Sequence, residues 1–133
     1  MFLSREVIVY RRSITRQNMD IERLNQEVRE FCEERNWTQY HTPKDLAIGL
    51  STESNELLEL FRFEDQAGQD DVLTDPESKT DVEDEIADIL FFILRFADLY
   101  DIDLEAALEA KIEKNRERYP KDEYQSGNDQ HDG

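Results

Sequence analysis

Two acidic pairs, Glu53-Ser-Asn-Glu56 and Glu85-Ile-Ala-Asp88, are the residues of this chain whose types and spacing most readily do chemistry. Residues three apart on an α-helix differ by roughly 60° around the axis, so each pair projects to one side of its helix. Glu53 falls on the apolar stripe of Leu46, Leu50 and Leu57, and Asp88 sits among Ile86, Ala87, Ile89 and Leu90. Both carboxylates are therefore expected to point toward a core. A buried carboxylate without a partner is costly, and such groups are normally paired, protonated or bound to a metal. Arg62 and Arg95 are the main cations on these segments, and neither falls within one turn of the acidic pairs. Four carboxylates converging between two packed helices would make a site for divalent metal. A single E-x-x-E is common by chance on the solvated faces of a chain with 33 Asp and Glu among 133 residues. Two pairs, one of them inside an apolar helix, are harder to read as mere surface. Glu59 continues the first series, either as a further ligand or as a solvent-facing group.

Ligand type selects the metal. Carboxylate oxygens without imidazole or thiolate suit Mg²⁺, with Mn²⁺ as a substitute, rather than Zn²⁺. Di-iron bundles supply a histidine in Glu-x-x-His, whereas the two histidines here, His41 and His131, lie in a predicted loop and in the tail.

A second group stands on a later helix. Lys111, Asn115 and Arg118 recur at i, i+4 and i+7 on one face, with Tyr119 beside them. In so acidic a chain this stripe fits a phosphate partner. It fits equally a favourable interaction with the helix C-terminus and ion pairs to Glu113 and Glu117. Aromatic side chains are available for a nucleobase: Trp37, Tyr40 and His41 cluster in one segment, and Phe63 follows the second helix. Trp37 and Phe63 could instead plug the core, and His41 could be a structural hydrogen-bonder.

The elements that must hold these groups are helices. Ile21, Leu24, Val28, Phe31 and Cys32 recur at three- and four-residue spacing, which predicts a first helix from Ile21 to Arg35 capped by Asp20. Thr42-Pro43 opens a second as N-cap and first helical residue, with Leu46, Leu50, Leu57, Leu58 and Phe61 on its apolar face. Residues 64–79 carry Gly, Pro and acids and predict a flexible loop. Thr80-x-x-Glu83 matches a capping box for a third helix, apolar almost all round from Ile86 to Leu99 and so central to a bundle. Asp101-Ile102-Asp103 forms a turn and cap for a fourth, Leu104 to Tyr119, stopped by Pro120. The polar tail, residues 121–133, is expected to be disordered. Val7 to Tyr10 form a short strand or an extension against a neighbouring subunit. The chain thus divides into an N-terminal extension (1–19), a helical domain (20–120) and the tail, and the architecture is all-α, a four-helix bundle.

Composition narrows the function. Four Gly and three Pro are few for a β-rich fold. A formal net charge of −17 repels polyanions, which argues against nucleic acid as the partner but not against a small anion that arrives with divalent cations. One cysteine, Cys32, allows no intramolecular disulfide and reads as a buried thiol. No signal-peptide core or membrane span is visible, so the expected location is the cytoplasm, with no membrane partner.

The ordered set Trp37…His41-x-Pro43, Glu53-x-x-Glu56, Glu85-x-x-Asp88 and Lys111-x-x-x-Asn115-x-x-Arg118-Tyr119-Pro120 resembles the MazG-like all-α nucleotide pyrophosphohydrolases, and among them the short dCTP pyrophosphatase branch. The resemblance covers roughly residues 20–120. It implies Mg²⁺ held by Glu53, Glu56, Glu85 and Asp88, and a water deprotonated by Glu53 or Glu56. It further implies phosphates contacted by Lys111, Asn115, Arg118 and Tyr119, and a nucleoside pocket shaped by Trp37, His41 and Phe63. A nucleoside triphosphate would be cut to monophosphate and pyrophosphate, as nucleotide-pool house-cleaning, by a homodimer or homotetramer. Phe63 and Phe92, also at the pocket, stand where Trp and Tyr are expected in dCTP-specific relatives, and Val28 replaces a His. These changes remove polar groups from around the base and imply looser base selection among deoxynucleotides, dCTP included. The competing readings are a superfamily relative acting on dUTP or phosphoribosyl-ATP, and a catalytically silent metal- or nucleotide-binding module.

Overall fold

The computed structural model describes residues 19–125, and the elements found there are helical. Helix α1 spans Ile21–Glu34, a tight 3-10 turn covers Trp37–Tyr40, and α2 spans Pro43–Glu59. Helix α3 follows at Gln66–Thr74, then α4 at Pro76–Leu99, α5 at Leu104–Arg118 and a short α6 at Lys121–Gln125.

The helix starts obey local capping chemistry. Asp20, Thr42 and Asp103 each accept a backbone N–H from three residues ahead, which satisfies one of the orphan donors of a first turn. The segment 64–79 departs from expectation. It is not a flexible loop, because Asp65 caps α3 through Gly68 N–H and Asp75 caps α4 through Ser78 N–H. The acids and Pro76 that look like loop formers in the sequence act as caps and as a first helical residue. Helix α4 consequently begins before Thr80-x-x-Glu83. Thr80 is no cap there: its hydroxyl donates to the Pro76 carbonyl within the helix.

Helix α4 is the centre. It packs along α2 as the most extensive pairing and is flanked by α1 and α3. Leu46, Leu94, Val82, Ala97 and Cys32 make the buried core, and burial raises the Cys32 thiol above its ordinary pKa, consistent with an inert structural sulfur. Gly49 lets α2 approach α4, since a Cβ there would meet Phe92 Cε1 at 2.5 Å. The bundle is incomplete in one respect. Helix α5 packs closely on no other element among the described residues, and Leu108 and Ile112 stay exposed, so the expected fourth helix does not close the bundle among the described residues. Residues 7–10 and the tail beyond 125 lie outside the described residues, while 121–125 are helical rather than unstructured.

Candidate metal and nucleotide site

Helices α2 and α4 bring three of the four predicted carboxylates together. One carboxylate oxygen from each of Glu53, Glu56 and Glu85 lies within 4.8 Å of the others, with Glu53 and Glu85 half-buried and Glu56 exposed. Glu53 Oε2 and Glu85 Oε2 are buried and find no hydrogen-bond donor. Two acceptor-only oxygens facing each other inside a protein repel unless a proton or a cation sits between them. In the metal-free chain a proton takes that place. Hydrogen bonding to Glu85, desolvation, and the nearby Glu56 and Asp88 charges push the Glu53 carboxyl up from its ordinary 4.5 to about 7. An all-oxygen cluster that holds a proton this tightly is suited to exchange it for a hard divalent cation.

Asp88 corrects the sequence reading in part. It does not point into the core and is exposed, outside the close trio, although its charge still reaches Glu53. Its neighbour Ile86 is also 52% exposed. Of the apolar run around Asp88, Ala87 is exposed and Ile89 and Leu90 are only half-buried, and the buried Leu94, Arg95 and Ala97 come farther along α4.

A model of the MazG-like family matches residues 48–131. Curated relatives include dCTP pyrophosphatase 1 of Rattus norvegicus, 35% identical over 101 residues, which are 76% of this chain and 58% of that protein. The Homo sapiens protein of the same name is 34% identical over the same shares. A crystal structure of a pyrophosphatase from Archaeoglobus fulgidus superposes with a TM-score of 0.71 at 39% identity, over 79% of this chain and 96% of that one. The chain belongs to the MazG-like family. It spans 58% of the length of the curated relatives it matches.

Against this MazG-like frame the remaining predicted residues fall into three places. Trp37 and His41 meet at the 3-10 turn, ring centroids 6.5 Å apart, and the edge of Trp37 also packs on Phe31 at 5.4 Å. His41 Nδ1 accepts a hydrogen bond from Arg95 Nε at 3.1 Å. Burial and the Arg95 charge lower the His41 pKa, against a smaller opposing effect of Asp45. Phe92 lines an apolar groove of 270 Å³ with Leu46, Leu50, Phe96 and Leu104, whereas Phe63 is 83% exposed, beside the Arg62 guanidinium. Phe92 connects to Trp37 through a chain of edge-on aromatic contacts, Phe92–Phe91 at 5.6 Å, Phe91–Phe31 at 6.0 Å and Phe31–Trp37 at 5.4 Å. Lys111, Asn115 and Arg118 lie on the exposed C-terminal half of α5, with Tyr119 as its C-cap and the Arg118 guanidinium over the Tyr119 ring.

Sequence reasoning missed what Arg95 does. It noted a cation away from the acidic pairs, yet an arginine inside an apolar helix is itself a signal, because a buried guanidinium must find acceptors. Those acceptors, His41 and Thr38, come from another segment and are not legible from spacing along α4. Among the described residues no helix is long and apolar enough to cross a membrane.

Proposed function

We propose that the chain hydrolyses (deoxy)nucleoside triphosphates between the α- and β-phosphates, releasing a nucleoside monophosphate and pyrophosphate. The observation that carries this reading is the carboxylate trio of Glu53, Glu56 and Glu85, with two buried oxygens that lack a donor. Membership of the MazG-like family and the named activity of its dCTP pyrophosphatase relatives support the same reaction class. Glu53, Glu56 and Glu85, together with Asp88, would hold Mg²⁺, with Mn²⁺ as a substitute. When bound, the metal offsets phosphate charge and makes water more acidic. Glu53 or Glu56 accepts the proton of the attacking water.

Lys111, Asn115, Arg118 and Tyr119 bind the phosphates, and Trp37, His41, Phe63 and Phe92 shape the nucleoside pocket. Among the described residues α5 leaves Leu108 and Ile112 exposed. That exposure favours a homodimer or homotetramer in which α5 is brought against another copy. The substrate class is deoxynucleoside triphosphates, including dCTP, with loose base selection, and the purpose is clearing the nucleotide pool. Incubation with each dNTP, dUTP included, and Mg²⁺, followed by ion-exchange separation, tests the proposal. Monophosphate plus pyrophosphate, lost on adding EDTA and in Glu53→Gln, is expected. Diphosphate plus orthophosphate would overturn the cleavage site, and no turnover of any nucleotide would favour a silent binding module.

A further inference from the structure

Arg95 is 1% exposed, the largest fully buried side chain among the described residues. A guanidinium in that position demands acceptors. Nε donates to His41 Nδ1 at 3.1 Å, and Nη2 donates to Thr38 Oγ1 at 2.8 Å. The Asp98 carboxylate lies 3.9 Å from Nη1 and is itself held by Arg29, whose Nε donates to it at 3.0 Å. The loop side is fixed as well, because the Tyr100 hydroxyl donates to the His41 carbonyl at 2.7 Å. The charged groups facing the imidazole are therefore Arg95 from α4 and Asp45 from α2, with the Asp98–Arg29 pair behind Arg95.

This arrangement has a consequence for the ring. Arginine has donors and no acceptor and remains protonated, so the nitrogen it faces must be an unprotonated acceptor. His41 Nδ1 cannot carry a proton while that bond exists, and the single proton of the neutral ring sits on Nε2. Among the described residues no hydrogen bond to Nε2 is found. A fixed N–H is thus left open beside Trp37. Arg95 also follows Asp88 by seven residues, two turns or about 10 Å along the same side of α4.

We propose that Arg95 is a positioning residue that locks His41 in its Nε2–H tautomer and turns that N–H to a hydrogen-bond acceptor of the bound nucleotide. The assignment rests on the nucleotide reading above for its ligand, but the lock itself is a property of the free protein. His41 supplies a donor only. It neither gives nor takes a proton in the reaction, since its charged form would set an N–H against the guanidinium.

Long-range ¹H–¹⁵N spectra of the histidine side chains test the lock directly, with His131→Gln identifying the two rings. His41 is expected to show an unprotonated Nδ1 and a protonated Nε2 at about pH 6, where a free imidazole is mostly charged. Arg95→Met, of similar length and uncharged, should give a mixed tautomer and an ordinary titration. Thr38→Val leaves the Nε bond in place and should keep the lock even if Arg95→Met fails to fold. A mixed tautomer in the unmodified protein, or in Thr38→Val, overturns the lock, as does an unchanged His41 spectrum in Arg95→Met.

The ligand half is read by adding Mg²⁺ and the α,β-imido analogue of the dNTP that the product panel ranks first. The expected result is a shift of the His41 Nε2–H resonance, with a KM in Arg95→Met raised about tenfold and well beyond any loss in kcat. If the analogue perturbs amides around Glu53 and Glu85 but leaves Nε2–H unmoved, the positioning role fails while the nucleotide reading stands. If it perturbs neither, both fail together.

Discussion

Replacing Glu53 by Gln should make the metal-free protein more stable while removing its response to Mg²⁺. The magnitude follows from the carboxylate pair. Glu53 ionises at about 7 in the folded chain against an ordinary 4.5, chiefly because it shares a proton with Glu85. At about 1.36 kcal/mol per tenfold change in proton affinity the difference is roughly 3 kcal/mol, and screening at a half-buried site reduces it to about 2 kcal/mol. The sign is set by proton uptake. The folded state holds this proton more tightly than the unfolded chain, so stability is full below 4.5, declines as pH rises toward 7 and stays low above that. A glutamine cannot ionise, and its amide gives the orphaned Glu85 Oε2 a donor. Glu53→Gln should therefore melt about 4–8 °C higher than the parent at about pH 8 and within about 2 °C of it at about pH 4.5. Millimolar Mg²⁺ should raise the parent's melting temperature at the higher pH and leave the variant's unmoved, because ligand binding stabilises only the state that binds. Thermal unfolding followed by far-UV circular dichroism, with EDTA or Mg²⁺ at both pH values, reads all four arms. A variant less stable than the parent at high pH, or one that Mg²⁺ still stabilises equally, would refute the view that Glu53 and Glu85 form a strained metal site.

The same proton must leave when metal binds, so calorimetric titration of Mg²⁺ near pH 6 should release close to one proton per site, and the apparent affinity should rise about tenfold from pH 6 to pH 8. Gly49→Ala should cost about 1–3 kcal/mol in urea unfolding, since its Cβ would fall 2.5 Å from Phe92 Cε1 in the packed seam between α2 and α4. Arg118→Ala should raise the KM for dNTPs about tenfold or more while leaving metal affinity intact, as expected of a phosphate contact away from the carboxylates. Asp98 is held below the usual carboxylate range by its bond to Arg29. The stability it adds is present above its ordinary 3.8 and is lost as pH falls through the lowered value, so Asp98→Asn should flatten the acid limb of a pH–stability curve.

Local signals and tertiary ones fared differently in the sequence, and the difference has a physical cause. Caps are local: Asp20, Thr42 and Asp103 act within three residues of themselves, and the starts of α1, α2 and α5 were readable from them. Segment 64–79 misled because Asp, Gly and Pro serve turns and helix starts alike. Only the Asp65 and Asp75 cap bonds distinguish the two uses. The carboxylate trio was readable because i, i+3 spacing fixes which side of a helix a residue takes. How deep that side lies is another matter. Asp88 shares α4 with buried Leu94 and Ala97 yet is exposed, because covering a helix face depends on what packs against it at each level, which spacing along one helix does not encode. The same limit explains α5. A stripe of Lys111, Asn115 and Arg118 beside exposed Leu108 and Ile112 gives the helix two faces that want partners, one anionic and one apolar, and the other described helices do not cover the apolar one. A carboxylate site without phosphate-binding cations, and a cationic helix without an apolar seat, are two deficits that one association would remove. A variant that holds the chain monomeric, such as Leu108→Glu, is therefore expected to keep Mg²⁺ binding and lose turnover. Equal turnover by a monomer, checked by sedimentation at assay concentration, would show that α5 completes no site in another copy.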